Sequence, residues 1–351
     1  MEWVRGQCIG SGSSSRVHLA TLKQPCFKHP FLAVKTCVES DTALLEHERN
    51  VLKELGYCPQ IIQCFGDSHT VEETSEPLYN LLLEYAQGGS LSHKLKKFGC
   101  FQELDVKDYA RSILKGLRHI HDMGFVHCDL KLENMLLFEN EEVKIADFGL
   151  AKKAGKKQGR AEIRGTPLYM APESVNNNVY ESGVDIWAFG CAVIEMLTGK
   201  PAWNCKPGTN MFVLLIRIGE GDELPTIPEE LSQEGRDFVS KCFVKDPTQR
   251  WTAEMLLEHP FVADQGKDTV PLRKEESEEL STSPRCHFDF PDWVSIQSPS
   301  PRSEFLSDDK VELVFPSLNS SCWVSAADRI RQLASDQCCD WSDSGCWVTV
   351  R

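Results

Sequence analysis

The hydrophobic period of this chain is mostly that of strands up to about residue 100 and turns predominantly helical from residue 104. Upstream, apolar and alternating runs predict strands over Val4–Gly10, Arg16–Leu22, Phe31–Val38 and Leu78–Tyr85, the first two joined by a Gly/Ser turn. One helix interrupts them. Leu44, Leu45, Val51, Leu52 and Leu55 share a stripe over Thr42–Leu55, and Gly56 stops it. Downstream, Val106, Tyr109, Ala110, Ile113, Leu114, Leu117 and Ile120 fall on one face of a long amphipathic helix. A strand-like stretch follows over Phe125–Ile145, and helical spacing returns at Val184–Leu197 and Asp237–Phe243. This order predicts an α+β fold in two lobes, a β-rich one over residues 1–86 and a larger helical one over 87–262.

After Phe261 the composition shifts. Residues 264–351 hold 16 Asp+Glu against 9 Lys+Arg, which is half of the chain's net charge of −14. Lys274–Ser303 has no apolar period, so the expectation is a mostly disordered acidic tail over 263–351, rich in Ser and Pro, with a regulatory role. Its end, Trp323–Arg351, carries Trp323, Trp341 and Trp347 and a short helical run at Ala326–Ala334. Exposed aromatics are costly, so this end is expected to dock on the folded domain or on a regulatory partner.

The acidic balance argues against nucleic acid as a partner, because that affinity rests on basic groups neutralising phosphates. No apolar run reaches the roughly 20 residues a membrane span requires, and no apolar leader segment opens the sequence. The 15 cysteines lie largely inside apolar runs, such as Cys37 in FLAVKTCV and Cys191 in WAFGCAVIEML, and read as reduced thiols. A cytoplasmic or nuclear protein is expected.

Ile9-Gly10-Ser11-Gly12, followed by Ser15 and Val17, is a glycine-rich turn between two strands. Glycines allow a backbone to approach a phosphate closely, and exposed N–H groups can donate to it. Taken alone, the turn serves equally well as a plain hairpin connection. Ala33-Val34-Lys35 places a lysine in the middle of an apolar strand, where an unpaired ammonium is costly to bury. Either Lys35 faces solvent from an edge strand, or it holds nucleotide phosphates and pairs with a carboxylate of the next helix. Glu48 is the best-placed partner, with Glu46 its nearest competitor.

The segment Val126-His127-Cys128-Asp129-Leu130-Lys131-Leu132-Glu133-Asn134 decides the chemistry, with Asp147-Phe148-Gly149 thirteen residues beyond it. Phosphoryl transfer needs a carboxylate to orient the attacking hydroxyl and accept its proton, and Asp129 suits that role. It needs hard oxygen ligands for Mg²⁺ beside the triphosphate, which Asn134 and Asp147 supply. Lys131 lies two residues from the base and can steady the transferred group. Each residue alone has a bland loop role; their joint order and spacing do not.

With these motifs in hand, the chain resembles a eukaryotic protein kinase over roughly Met1–Phe261. That resemblance implies ATP and Mg²⁺ as cofactors, with Ile9, Gly10, Ser11, Gly12, Val17, Ala33 and Lys35 around the nucleotide. It makes Leu83-Glu84-Tyr85-Ala86 the hinge that receives adenine, with Leu83 as gatekeeper and Glu84 and Ala86 beside the ring. Gly165–Glu173 resembles the end of an activation segment, Asp185–Gly190 the buried central helix, and Arg250 the partner of Glu173. Lys131 and Gly165-Thr166 are features of Ser/Thr kinases.

Within that family, GTPLYMAPES, VHCDL and TGKPAW are similar to plant MAP kinase kinase kinases of the MEKK-like branch. This implies a MAP kinase kinase as protein substrate, in stress or hormone signalling. A Ser/Thr kinase acting outside that cascade is the alternative. A pseudokinase scaffold is the other, although Lys35, Glu48, Asp129, Asn134 and Asp147 are all retained.

Two departures stand out. Cys128 occupies a position where the family usually has arginine, and Ser15 replaces a third loop glycine. Between Leu150 and Gly165 the sequence AKKAGKKQGRAEIR has no Ser, Thr or Tyr. Arginine at 128 normally grips a phosphorylated segment, so the receptor and the acceptor are missing together. The expectation is activity without phosphorylation in this stretch. Its Lys152, Lys153, Lys156, Lys157 and Arg160 form a solvated basic loop, a docking surface for an acidic partner or a nuclear address. Ser283, Ser298 and Ser300 each precede proline, as sites for a proline-directed kinase or as plain linker sequence.

Overall fold

The computed structural model describes residues 1–12, 15–23, 30–71, 76–155, 163–205 and 209–263. The expectations for the tail, its Ser-Pro sites and its Trp-bearing end, and for Lys156, Lys157 and Arg160, fall outside the described residues.

Five strands form an antiparallel sheet: β1 (Trp3–Ser11), β2 (Arg16–Leu22), β3 (Phe31–Val38), β4 (Cys64–Thr70) and β5 (Leu78–Glu84). Their order is β1-β2-β3-β5-β4, which puts β3 at the centre with Val17 opposite Lys35 and Ala33 opposite Leu83. Lys35 is therefore no edge-strand lysine. Helix α1 (Ala43–Leu55) crosses between β3 and β4 and buries Leu45, Val51, Leu52 and Leu55 together with one charged residue, Glu48. Gly56 ends it at φ 68°, donating its N–H to the Leu52 carbonyl. β4 was not legible in the pattern. Its sequence CFGDSHT is half-buried apart from the exposed His69, as an edge strand held by backbone pairing to β5 can be.

The helical lobe begins with α2 (Leu91–Phe98), capped by the Ser90 hydroxyl, which accepts from the His93 N–H. Helix α3 (Glu103–Asp122) buries the predicted stripe in full. The stretch expected as strand-like is instead several short pieces: β6 (Phe125–Val126), a 3₁₀ turn at Leu132–Asn134, then the hairpin β7 (Met135–Leu137) and β8 (Val143–Ile145). β9 (Lys152–Lys153) pairs back onto β6.

Next come α4 (Pro172–Asn177), α5 (Ser182–Thr198), α6 (Met211–Glu220), α7 (Gln233–Cys242) and α8 (Ala253–Leu257). α5 is apolar on nearly every side and buried on nearly every side, so it is the axis of this lobe. A β-carbon on Gly190 would come within 2.7 Å of the Cys242 side chain, so only glycine lets α7 approach α5 this closely. Helix α6 went unpredicted because Met211–Ile216 is an unbroken run of six apolar residues that shows no period by itself, although only Leu214, Leu215 and Ile218 are buried.

Candidate active site

Three side chains from separate elements meet between the lobes. Lys35 Nζ lies 2.6 Å from Glu48 Oε2 and 2.9 Å from Asp147 Oδ1. The lysine side chain is 9% exposed and Glu48 is fully buried, so neither charge is tolerable there without the other. Glu48 uses its second oxygen to accept the Phe148 backbone N–H at 3.2 Å, tying α1 to the segment that carries Asp147. Glu46, the competing glutamate, is exposed.

A second cluster forms around Asp129. Its Oδ2 is 2.8 Å from Lys131 Nζ, and its Oδ1 accepts the Thr166 hydroxyl at 2.7 Å. Lys131 also donates to the Thr166 oxygen at 3.0 Å. Burial works to raise the Asp129 pKa, but the Lys131 ammonium and the Lys131 and Thr166 hydrogen bonds outweigh it, and the carboxyl sits below its ordinary value. Asn134, buried, donates Nδ2 to the Asp129 carbonyl at 2.8 Å. Its side-chain oxygen is thus the ligand it has to offer.

The loop carrying Asp129 is held from below. Asp185 of α5 accepts the backbone N–H groups of His127 at 2.8 Å and Cys128 at 3.0 Å, and His121 Nε2 at 3.0 Å. His127 lies within 3.0 Å of the Ala146 carbonyl through Nε2 and accepts the Asp129 N–H at Nδ1, which fixes Nε2 as the protonated nitrogen. Cys128 and Asp147 hold φ values of 67° and 66°, uncommon for residues with side chains. A β-carbon on Gly165, at φ 97°, would lie 2.4 Å from the Cys128 carbonyl, so the Gly165-Thr166 pair can reach Asp129 only with glycine.

Of the remaining predicted residues, all but Ala86 lie on the strands or the turn of the sheet that carries Lys35. Gly10 pairs with Val17, Ser11 with Arg16, and the Gly12 N–H closes the turn on the Ser15 carbonyl at 2.8 Å. Ile9 and Leu83 are buried and Ala33 nearly so. Glu84 turns its carboxylate to Lys144, 2.7 Å away, so its side chain supports the hinge from outside. The Ala86 carbonyl accepts the Gly89 N–H at 3.3 Å. Sequence reasoning missed Asp185 as the holder of the loop; its signal was a lone carboxylate in the apolar run VDIWAFGCAV. No cluster of three or more His, Cys, Asp or Glu suited to a metal occurs among the described residues.

The predicted pair Arg250–Glu173 also forms, at 2.6 and 3.0 Å, with the Arg250 side chain fully buried over the Trp187 ring. No helix among the described residues is long and apolar enough to cross a membrane.

The protein kinase domain profile matches residues 3–262. The chain is 48% identical over 362 residues to mitogen-activated protein kinase kinase kinase 20 of Arabidopsis thaliana, covering 100% of both chains. It is 37% identical over 299 residues to kinase kinase kinase 17 of the same plant, covering 85% of this chain and 78% of that one. With kinase kinase kinase 18 the figures are 39% over 280 residues, 77% and 80%.

Proposed function

The chain belongs to the protein kinase family and is a Ser/Thr kinase of the MAP kinase kinase kinase type, and on that premise we propose that it phosphorylates Ser or Thr of a MAP kinase kinase. Protein kinases use ATP and Mg²⁺. The observation that carries the proposal is the Asp129 cluster: a carboxylate kept ionised by Lys131 and already holding a hydroxyl, that of Thr166, at 2.7 Å.

In this reading Asp129 receives the hydrogen bond of the substrate hydroxyl, orients it for in-line attack and takes its proton. Lys131 neutralises charge on the group in transit. Lys35, held by Glu48, contacts the phosphates, and the Gly10–Gly12 turn covers them with backbone donors. Asn134 and Asp147 would hold Mg²⁺, which would supply charge to offset that of the triphosphate. Ile9, Val17, Ala33, Leu83, Glu84 and Ala86 make the adenine site. The name of the relative matched over its whole length supports a MAP kinase kinase as substrate; stress or hormone signalling as context and the cytoplasm or nucleus as location belong to the same proposal.

The experiment is γ-phosphate transfer from Mg-ATP to a panel of kinase-dead MAP kinase kinases, with Asp129→Asn alongside. Transfer to their activation-loop Ser/Thr that vanishes in Asp129→Asn is the expected result. Activity confined to a generic substrate discards the pathway, and silence on every substrate with ATP still bound favours a scaffold.

A further inference from the structure

Helix α1 carries Glu48, and three separate contacts fasten it to residues 148–153. Besides the Phe148 N–H on Glu48, His47 Nε2 lies 2.6 Å from the Ala151 carbonyl, and Lys153 Nζ lies 2.7 Å from Glu54 Oε2. A carbonyl only accepts, so His47 carries its hydrogen on Nε2 and donates it. Residues 47 and 54 are two helical turns apart and share a face, with Glu48 beside it. Ala151 is fully buried and its N–H returns to the Phe148 carbonyl at 3.1 Å, so the acceptor is rigidly placed. Lys153 is itself held by strand pairing to Phe125 and by its ammonium 3.9 Å from that ring's centroid.

The apolar face of α1 sets which side of the helix meets the core. The directional bonds at 47, 48 and 54 add the finer placement that aims Glu48. All three are made by the chain's own side chains and backbone, and the sequence 151–164 contains no hydroxyl to phosphorylate. We propose that His47, seconded by the Lys153–Glu54 pair, is a positioning residue that latches α1 to the start of the activation segment and so holds Glu48 on Lys35. The latch needs no modification to close. It rests on the proposed roles of Lys35 and Glu48.

The test is steady-state kinetics of the full chain with Mg-ATP and a Ser/Thr peptide, for His47→Ala, His47→Gln, Glu48→Gln and the His47→Ala/Glu48→Gln double variant. His47→Ala lowers kcat roughly tenfold with KM for ATP within about threefold, the pattern of lost positioning rather than lost binding. His47→Gln, whose amide can donate to the same carbonyl, recovers most of kcat. In the Glu48→Gln background the alanine change adds nothing, because residues acting through one another are not additive.

An unchanged kcat in His47→Ala, or the same loss with and without Glu48, overturns the latch. Should Glu48→Gln alone leave kcat unchanged, the assignment of the pair fails, and the latch with it. If His47→Ala does not fold, Lys153→Gln is the surface substitute. It is expected to lose about threefold in kcat, again only while Glu48 is present, and no loss overturns the proposal.

Discussion

Thr166 donates its hydroxyl to Asp129 at 2.7 Å, across 37 residues of sequence, and receives Lys131 at 3.0 Å on the same oxygen. The triad fixes the carboxylate's direction and its charge together. Thr166→Val keeps the shape and removes the bridge, so kcat should fall roughly tenfold, while Thr166→Ser should stay within about threefold of wild type. The pH profile carries a sign. Burial alone would raise the Asp129 pKa, while Lys131 first and Thr166 second hold it below the usual carboxylate value. In wild type the acidic limb of kcat/KM therefore lies at low pH, and in Lys131→Ala it moves upward. A limb that stays in place in that variant would remove Lys131 from the argument.

Arg250 is a stability prediction. Its guanidinium meets both oxygens of Glu173 and also donates to the Gly183 and Val244 carbonyls at 2.7 and 2.8 Å. Removing one member of a buried pair strands the other's charge. Arg250→Ala should cost about 3–5 kcal/mol, and for a domain of this size the thermal midpoint should drop by about 10 °C. Replacing both with methionine should recover much of that loss, because no charge is then left unpaired. A double variant as unstable as the single one would mean that the carbonyl contacts, not the ion pair, carry the effect.

Much of this site was legible because the chemistry forced polar residues into apolar settings. Lys35 in FLAVKTCV and Asp129, Asn134 and Asp147 in short apolar strands and turns are each anomalous, and their order is restrictive. The β3 and β2 boundaries followed from runs of β-branched and aromatic residues ended by charge or loop. What escaped were relationships across the chain. Asp185 reaches His127 over 58 residues, and His47 reaches Ala151 over 104, and no local pattern pairs them. β4 escaped for another reason, since its partly buried polar sequence takes its structure from the neighbour it pairs with rather than from its own propensity.

Glu195 of α5 offers a pH dependence of the opposite sign. Burial raises its pKa to about 7, against the Tyr169 hydroxyl that donates to it. A carboxyl whose folded pKa lies above its unfolded value holds a proton more firmly in the folded chain. Its contribution is therefore present below about pH 4.5, the ordinary value, and is lost as pH rises through about 7. Thermal midpoints should fall from pH 5 to pH 8 more in wild type than in Glu195→Gln, which cannot titrate. Parallel curves for the two proteins would assign the slope to other groups.

Cys128 bears on how the segment is kept in place. Its thiol is buried, pushed well above its ordinary pKa by desolvation, and donates to the Val126 carbonyl at 3.5 Å, so it offers no charge to a phosphate. The far end of the segment is anchored by other means. Tyr180 accepts the Arg164 N–H at 2.7 Å, Thr166 sits on Asp129, and Gly165 fits under the Cys128 carbonyl. An anchor built from the chain's own side chains and backbone should be indifferent to phosphatase, and treated enzyme should keep its kcat. Tyr180→Phe, which removes the acceptor of the half-buried Arg164 N–H, should lower kcat about fivefold, the effect of one lost hydrogen bond of about 1 kcal/mol. A large loss on dephosphorylation, with Tyr180→Phe unaffected, would point to Thr166 or Tyr169 as a phosphate acceptor and would return control of the segment to a charge that Cys128 cannot bind.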